Sequence, residues 1–428
     1  MERALSLAMR GPKRIYACAE MFHESVVLPA GVELWGGLDC ASGWSYIGED
    51  KKTTIAPEAD LIALQVQAGS GKSIVADVRP VAADATIPSG SSIAVLVMPG
   101  AAVEVLRSDI ISGSGAPGLD GEDGCHERAQ AGTSGTSGTD ACVFNTAPGG
   151  AAVETVCGGS ISGGGKGGAG HNTYGDDGMD GQPEPVPNPI DHGHGGQGID
   201  NTNILWCTGG GNGLSGMDGE HGLGGKGPGR ITLLGWRGQA GQDGGDGLPG
   251  YGGGGGGGGT KGGQVACGYG NNKAGAGGGS GGGGGCGGIG AKGGGYGGAS
   301  IGLLSLSADV TVRTSTIASG RGGDGGAGGF PQLGGLGGWG GPGGAHYNGA
   351  GPGCAGGPGG AGGHGGFGGG GLGGPSIGIA HQLGTPVVQE EVTIQTGQTG
   401  KGGLSENFED PASYGEDGVA AAVLAFPE

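Results

Sequence analysis

The sequence predicts an all-β protein, a parallel β-helix or solenoid whose long glycine-rich insertions pack as a bundle of polyproline-II (polyglycine-II) helices. Three observations support this prediction. Short segments rich in Val and Ile recur along the chain with the same entry sequence. Glycine makes up 123 of the 428 residues, far above its usual share of about 7%. Glycine also recurs at every third residue over long stretches, which is the period of polyproline II.

Three segments share one pattern and indicate a structural repeat. They begin at Ser91, Ala299 and Pro375, and each runs from Ser-Ile-(Gly/Ala) through an apolar strand and a turn to a second strand rich in Val. A single unit cannot bury its apolar face alone, so such units stack about 4.8 Å apart. Partial copies occur at Lys72–Ile87, Ala151–Cys157, Arg230–Trp236 and Val419–Phe426. We expect Ser92, Ser300 and Ser376 to occupy equivalent positions in stacked coils, with Ile93, Ile301 and Ile377 pointing inward. The alternative is an irregular β domain in which these strands are similar by coincidence.

The N-terminal region predicts short strands that are separated by Pro and Gly. They are Arg14–Cys18, Glu24–Leu28 and Val32–Gly36. Short strands of this composition, bounded by turn residues, are typical of sandwiches, barrels and solenoids. The recurrence of the Ser-Ile entry favours the solenoid.

The glycine-rich stretches lie between the repeats, at 113–150, 158–229, 237–298 and 319–374. Some contain Gly at every third residue, and others repeat Gly-Gly-X, as from Arg321 to Phe330. Polyproline-II helices can bundle where glycine lets backbones approach closely. A collagen triple helix needs a longer unbroken Gly-X-Y run and is disfavoured. Disorder is the serious alternative, because glycine loses the most conformational entropy on folding.

These segments divide the chain into five parts. We expect N-terminal β-helix coils over 1–112, and glycine-rich insertions with short strands over 113–298. We expect one further coil over 299–318, a Gly-Gly-X polyproline-II segment over 319–374, and C-terminal coils over 375–428.

The formal net charge of −19 limits the partners that the protein can bind. Nucleic-acid binding relies on clustered Lys and Arg, so nucleic acid is not an expected partner. An acidic surface keeps a protein soluble and gathers cations. The sequence has no apolar run of about 18 residues, so no membrane span is expected.

The nine cysteines contain no CxxC pair, which favours disulfides in an oxidising compartment over a zinc site. The disulfide candidates are Cys18, Cys40, Cys125, Cys142, Cys157, Cys207, Cys267 and Cys286, and the state of Cys354 is left open. Because nine is an odd number, one thiol should be free or should pair with another chain. Residues Met1–Arg10 lack the apolar core and cleavage site of a signal peptide, so the export route is open.

Cys18 and Cys40 are the one pair that the spacing predicts. They are 22 residues apart, about one coil of a three-strand β-helix. Adjacent coils rise about 4.8 Å, within the Cα separation of roughly 4.4–6.8 Å that a disulfide needs. Two stacked but reduced core cysteines are the alternative.

The N-terminal segment resembles the start of right-handed parallel β-helix repeat proteins. Ile15-Tyr16, Glu24–Leu28 and Gly31–Gly37 fill their strand–turn–strand pattern. The resemblance implies a right-handed parallel β-helix whose capping helix leaves a remnant at Ala4–Met9. The body, where GGASIGL and GGPSIGI follow Gly-Gly-X arrays, resembles glycine-rich bacterial cell-surface proteins of the PE-PGRS-like kind. It is less closely similar to the polyglycine domains of phage tail-tip adhesins. The resemblance implies an exported, surface-associated role and brings no catalytic residues.

Three Asp-Gly-x-Asp-Gly motifs are candidate calcium sites, since Ca²⁺ prefers oxygen ligands. Their aspartates are Asp120 and Asp123, Asp177 and Asp180, and Asp243 and Asp246. Solvated turn aspartates are the alternative, because Asp and Gly are common turn residues. His192 and His194 are a weaker candidate pair for a transition metal. No other cofactor is expected.

Aromatic residues at the X positions of the glycine repeats are candidate contact residues. They are Phe330, Trp339, Tyr347 and Phe367. They could contact glycans or a neighbouring subunit, and the alternative is that they shield the glycine bundle from water.

Together these features predict a non-enzymatic extracellular or cell-surface protein with a structural or adhesive role. Assembly into a filament or surface layer is a further expectation. The expected partners are other copies of the chain, or cell-surface glycans and proteins. The alternative is a carbohydrate-active β-helix enzyme of the polysaccharide lyase or hydrolase kind, which needs several carboxylates on one face. The strand segments offer only isolated charges such as Glu104, Arg313 and Glu391.

Overall fold

The computed structural model describes residues 1–8, 13–188, 190–200, 206–389, 391–408 and 410–427. Short β-strands dominate the regular structure of these residues, and helix is almost absent. The elements in chain order are α1 Glu2–Ala8, β1 Arg14–Cys18, β2 Met21–Phe22, β3 Val26–Leu28, β4 Glu33–Asp39, β5 Ser45–Tyr46, β6 Thr53–Ile55, β7 Leu64–Val66, β8 Lys72–Ala76, β9 Val78–Pro80, β10 Ser92–Val97, β11 Ala102–Leu106, β12 Asp109–Ile111, β13 Val153–Cys157, β14 Ser160–Gly164, β15 Arg230–Thr232, β16 Gly235–Arg237, β17 Ser300–Leu306, β18 Asp309–Arg313, β19 Thr316–Ala318, β20 Ser376–Gln382, β21 Val387–Val388, β22 Thr393–Gln395, a 3₁₀ helix at Pro411–Ser413, and β23 Ala420–Ala425. The helix predicted at Ala4–Met9 therefore lies slightly earlier, and Met9 is outside the described residues.

Within the described residues, the strands form six separate sheets. The largest has the order β1-β4-β8-β11-β18-β21, with β5 beside β4. The next has the order β23-β20-β17-β10-β7-β3. Two smaller sheets contain β12-β19-β22 and β2-β6-β9, and the last two are the hairpins β13-β14 and β15-β16. Strands of the four larger sheets share one buried apolar cluster, which includes Leu28, Leu34, Val103 and Ile110.

The prediction of a single right-handed parallel β-helix, or solenoid, with polyproline-II insertions is therefore wrong. The strands belong to several separate sheets, and long glycine-rich stretches separate the repeated units. Two predicted partial copies, Ala151–Cys157 and Arg230–Trp236, contribute to antiparallel hairpins instead of coils. A two-residue link lets a strand pair with its immediate successor, and Gly158 supplies a positive φ of 59° in the first hairpin. The Val-rich composition of these segments does not distinguish the two outcomes.

The repeat entries align in register across the second-largest sheet. Ser92 pairs with Ser300 between β10 and β17, and Ser300 pairs with Ser376 between β17 and β20. Their hydroxyls bond to backbone where glycine-rich stretches begin. Ser300 Oγ donates to the carbonyl of Gly113 at 2.6 Å, and Ser376 Oγ donates to that of Gly320 at 2.8 Å. These serines therefore fix the points at which two glycine-rich stretches leave the sheet.

The isoleucines after these serines are buried, but they do not face the shared core. Ile93, Ile301 and Ile377 belong to a second cluster that contains Trp236 and Phe426. The expectation that they point into a solenoid interior is wrong. The residue that follows each isoleucine is not one of the paired positions between these strands. The regular alternation of side chains between the two faces of the sheet therefore shifts at this point.

The eight-glycine run Gly252–Gly259 is buried and surrounded by other glycine-rich stretches. Its amides donate in rotation to three neighbours. Gly253 and Gly256 donate to the stretch at 279–282, Gly254 and Gly257 to 208–211, and Gly255 and Gly258 to 176–179. The direction in which the amides point therefore repeats every three residues, and the run is packed on several sides.

The same three-residue period joins the other glycine-rich stretches. Gly115, Gly118, Gly121 and Gly124 donate in turn to the carbonyls of Arg321, Asp324, Ala327 and Phe330, at 2.6–2.8 Å. The stretch at 353–374 donates to 323–344 in the antiparallel sense, also at every third residue. The period of glycine in the sequence is thus the period of the hydrogen bonds between stretches.

Candidate functional site

A line of exposed apolar side chains marks one surface of the glycine-rich body. Phe330, Leu333, Leu336 and Trp339 occupy every third position of the stretch 319–344 and are all exposed. Because the hydrogen bonds of this stretch to its neighbours recur every three residues, these four side chains lie on one side of it. We call these four residues the apolar ridge. Trp339 is the most exposed of them, at 79% of its full surface.

The backbone beneath the apolar ridge is held on two sides. The amides of Gly335, Gly338 and Gly341 donate to the carbonyls of Cys286, Gly283 and Ser280 at 2.8–2.9 Å. The carbonyls of Leu336 and Trp339 accept from Gly132 and Gly135 at 2.7 Å. The apolar ridge therefore lies on a segment whose position is fixed by main-chain hydrogen bonds, so its side chains form a well-defined surface.

The predicted contact residues are only partly brought together. The rings of Phe330 and Phe367 lie 6.2 Å apart, and the ring of Phe367 is also 5.4 Å from that of His221. Trp339 lies further along the ridge, and Tyr347 is exposed in the turn that follows it. Leu333 and Leu336 also lie in this row, although they were not among the predicted contact residues, which were all aromatic. Their spacing of three residues from Phe330 is the signal that finds them.

The six calcium-candidate aspartates each bond to a backbone amide of a neighbouring stretch. The pairs are Asp120 with Ala327, Asp123 with Phe330, Asp177 with Gly198, Asp180 with Gly195, Asp243 with Gly293, and Asp246 with Gly290, all at 2.7–2.9 Å. Asp140, Asp218, Asp324 and Asp417 bond amides in the same way. An amide that lacks a neighbouring carbonyl thus receives a carboxylate oxygen, which is a strong acceptor.

These bonds give the aspartates a structural role, and the calcium hypothesis gains no support from them. No group of three or more His, Cys, Asp or Glu that could hold a metal ion occurs among the described residues. The Nδ1 atom of His194 lies 3.2 Å from Asp180 Oδ1. The pKa of Asp243 is lowered by its bond to the Lys292 ammonium and by the amide of Gly293.

One cluster of charges lies on the largest sheet. Glu104 lies between Lys72, at 2.9 Å, and Arg313, at 3.1 Å. The bonds from Lys72 and then Arg313 lower the pKa of Glu104. Glu391 accepts a bond from the hydroxyl of Thr314 instead. The structure therefore joins two of the charges that looked isolated in the sequence, as an ion-pair network with a single carboxylate.

Cys18 and Cys40 form the predicted disulfide, with a Cα separation of 5.5 Å. The derived register was inexact, since Cys18 pairs with Leu38 rather than with Cys40. Cys125 was a disulfide candidate, but it is free and exposed, whereas Cys354 is bonded.

Three further disulfides brace the glycine-rich body. They are Cys142–Cys267, Cys157–Cys286 and Cys207–Cys354, which join residues 125, 129 and 147 positions apart. Cys142–Cys267 and Cys207–Cys354 each link two glycine-rich stretches, and Cys157–Cys286 links the end of β13 to one such stretch. The body is therefore held by covalent cross-links as well as by main-chain hydrogen bonds.

Comparison of the chain with protein-family models, curated proteins and solved structures finds no match. In the part of the chain that the structure describes, no helix has the length and apolar character needed to cross a membrane. The four disulfides are compatible with an extracellular location.

Proposed function

We propose that the protein is an extracellular structural or adhesive protein that acts through its shape and surface contacts rather than through catalysis. The observation that carries the proposal is the apolar ridge, a regular row of exposed apolar side chains on a fixed backbone. A soluble protein exposes a regular row of large apolar side chains mainly where it meets a partner. Phe367 extends the surface beside Phe330, with the two rings 6.2 Å apart.

The construction of the glycine-rich body supports this role. Main-chain bonds and three disulfides hold the surface that carries the ridge. A rigid surface loses little conformational entropy when it binds, so more of the contact energy remains as affinity. Large aromatic side chains also supply most of the binding energy at many protein interfaces.

The resemblance to glycine-rich bacterial surface proteins supports a surface-associated role, with cell-surface glycans, cell-surface proteins or other copies of the chain as partners. A regular row of contacts also suits assembly into a filament or surface layer. The net charge of −19 keeps the separate chains soluble before they assemble.

A matched pair of variants tests the proposal. The first variant carries Phe330→Ser, Leu333→Ser, Leu336→Ser and Trp339→Ser. The control carries Leu119→Ser, Met179→Ser, Met217→Ser and Leu223→Ser, which replace exposed apolar residues elsewhere on the glycine-rich body. Sedimentation velocity measures self-association, and binding to whole bacterial cells and to arrayed glycans measures adhesion. We expect the native chain and the control to associate or adhere, and the ridge variant to lose this by about tenfold or more. Equal behaviour of the ridge variant and the native chain would contradict the proposal.

The enzyme alternative is tested by incubating the protein with pectins and other acidic polysaccharides. We expect no new reducing ends and no unsaturated uronates. Sustained release of either product, by the native protein and by the ridge variant alike, would favour the enzyme alternative.

A further inference from the structure

A polar cavity of about 490 Å³ lies where two turns of the glycine-rich body meet. One wall is the turn that contains Asn172 and Thr173, and the other is the loop 262–272, which follows the buried run of glycines. Its size is typical of a site for a small organic molecule. No carboxylate occurs among the described residues that line it. Four side-chain amides line it instead, those of Asn172, Gln264, Asn271 and Asn272.

Both walls of the cavity are held in place. Thr260 Oγ1 donates to the carbonyl of Asn172 at 3.1 Å, which fixes the turn against the end of the glycine run. The disulfide between Cys142 and Cys267 ties the loop to a second stretch, and Asn271 Nδ2 donates to the carbonyl of Cys267 at 3.2 Å. Binding to such a preformed cavity therefore costs little ordering of the protein.

Lys261 supplies a buried cation at this cavity. It is only 6% exposed, and every other lysine in the described part of the chain is more exposed. Its ammonium donates to the carbonyl of Asn271, which is itself a lining residue. This is its one side-chain hydrogen bond among the described residues. The ammonium therefore lies at the cavity wall, and two of its three protons can bond to a ligand.

The charge of Lys261 has no carboxylate partner within the residues that the structure describes. The other buried charged residue, Asp77, lies 2.6 Å from Arg107. Four lysines do pair with carboxylates, and all are more exposed than Lys261: they are Lys52, Lys72, Lys292 and Lys401. A buried charge is costly unless it is paired. Lys261 therefore indicates an anionic ligand for this cavity.

The rest of the lining narrows the class of ligand. Phosphate is well matched by the planar fork of arginine, whereas a single ammonium suits a single carboxylate. The surrounding amides can both donate to hydroxyl groups and accept from them. Tyr269 lines the cavity and is 86% exposed, so its ring offers an apolar face to a ligand. A carboxylate on a ring that carries hydroxyls is the chemistry of an acidic sugar.

We propose that this cavity binds a carboxylated sugar, either a uronic acid or a sialic acid, of a surface glycan. Lys261 bonds to the carboxylate, the amides of Gln264 and Asn272 bond to hydroxyls, and Tyr269 packs on the sugar ring. The inference rests on the proposed adhesive role for its biological use, since it names the class of glycan that one site recognises. The residues of the apolar ridge do not line this cavity.

Calorimetric titration of the whole chain tests the site with two ligands that differ only in the carboxylate, methyl glucuronoside and methyl glucoside. We expect the glucuronoside to bind at least about tenfold more tightly, because it alone forms a charge-assisted hydrogen bond with Lys261. The net charge of −19 opposes non-specific binding of anions, so this preference reports a local site. A titration with N-acetylneuraminic acid identifies the source: tighter binding than that of the glucuronoside supports the site and assigns it to sialic acid.

Lys261→Met removes the ammonium, and Lys273→Met is its matched control. Lys273 donates to the carbonyl of Val143 at 2.9 Å and does not line the cavity. We expect Lys261→Met to weaken glucuronoside binding at least about tenfold, and Lys273→Met to change it by about twofold or less. The double variant Gln264→Ala and Asn272→Ala leaves the bond from Lys261 in place. We expect it to weaken binding by about tenfold without moving the unfolding midpoint.

Four results would overturn the inference: no binding of either acidic sugar at concentrations up to about 10 mM, equal binding of the glucuronoside and the glucoside, equal losses in the two lysine variants, or inorganic phosphate bound as tightly as the glucuronoside. The last result would show a site for any small anion. This experiment and the ridge variants fail separately, because Lys261→Met leaves the apolar ridge in place and the ridge substitutions leave the cavity unchanged.

Discussion

The substitution Gly256→Ala tests whether the glycine-rich body is packed as tightly as the structure requires. Gly256 lies in the buried run Gly252–Gly259, and a Cβ atom there would overlap the carbonyl of Cys354. Cys354 cannot easily withdraw, because its disulfide to Cys207 holds it. Forcing an extra methyl group into a packed interior costs about 1–3 kcal/mol.

The same substitution also disturbs two main-chain hydrogen bonds. The amide of Gly256 donates to Gly279 at 2.8 Å, and its carbonyl accepts from Gly168 at 2.9 Å. Each such bond contributes about 0.5–1.5 kcal/mol. We therefore expect Gly256→Ala to lower the free energy of unfolding by about 2–6 kcal/mol, a large part of the 5–15 kcal/mol of a typical domain.

The matched control is Gly263→Ala, because no atom lies within 4 Å of a Cβ at this position. Its backbone φ is not in the left-handed region, so alanine fits without strain and should leave stability unchanged or raise it by up to about 1 kcal/mol. Guanidinium unfolding followed by circular dichroism measures both variants. The reasoning is refuted if Gly256→Ala unfolds at the same denaturant concentration as Gly263→Ala.

Three other predictions concern charge and sulfur. The folded-state pKa of Asp243 lies below its ordinary value of about 3.9, so its stabilising effect is present above that value and is lost as the pH falls through the folded pKa. Acid titration of Asp243→Asn should therefore show a flatter loss of stability below about pH 4 than the native chain. An identical loss of stability at low pH in the two proteins would count against the Lys292 pairing. Replacing Cys207 and Cys354 by Ser should destabilise the oxidised protein by about 2–5 kcal/mol, measured by denaturant unfolding, whereas an unchanged midpoint would mean that the bond is not formed. Maleimide labelling of the native, unreduced protein should modify one thiol per chain, at Cys125 by peptide mapping, and labelling at any other cysteine would show the pairing to be different.

Local periodicity in the sequence predicted much of the local structure, but not the way in which the parts are arranged. The strand at Arg14–Cys18 and the register of the Ser-Ile entries follow from alternating apolar residues and repeated motifs. Cys18 and Cys40 are only 22 residues apart, and Cys18 ends β1 while Cys40 directly follows β4, so their bond could be predicted from the spacing of short strands.

The arrangement of the glycine-rich stretches could not be read from the sequence. Every stretch has the same period, so each could bond to any other, and nothing local selects a neighbour. For this reason the disulfide of Cys157 with Cys286, between residues 129 positions apart, was not predicted. The same holds for the aspartates. Asp120 looks like a turn residue or a metal ligand until the amide of Ala327 is known to lie beside it.

The contact surface was predicted in part for a related reason. Phe330 and Trp339 were recognised as exposed X residues, and the structure places both on the apolar ridge. Leu333 and Leu336 belong to the ridge because three residues make one turn of this stretch, so residues three positions apart lie on the same side.

Native-state hydrogen exchange of the amides of Gly253–Gly259 tests most directly whether the glycine-rich body is a fixed scaffold for the apolar ridge. Each of these amides donates to a neighbouring stretch at 2.7–3.1 Å, and all are buried. Exchange is therefore predicted to be as slow as that of the buried strand Ser300–Leu306, since both should open only in large unfolding events. Exchange at the rate of an unstructured peptide would show that the run is mobile, and would contradict the account.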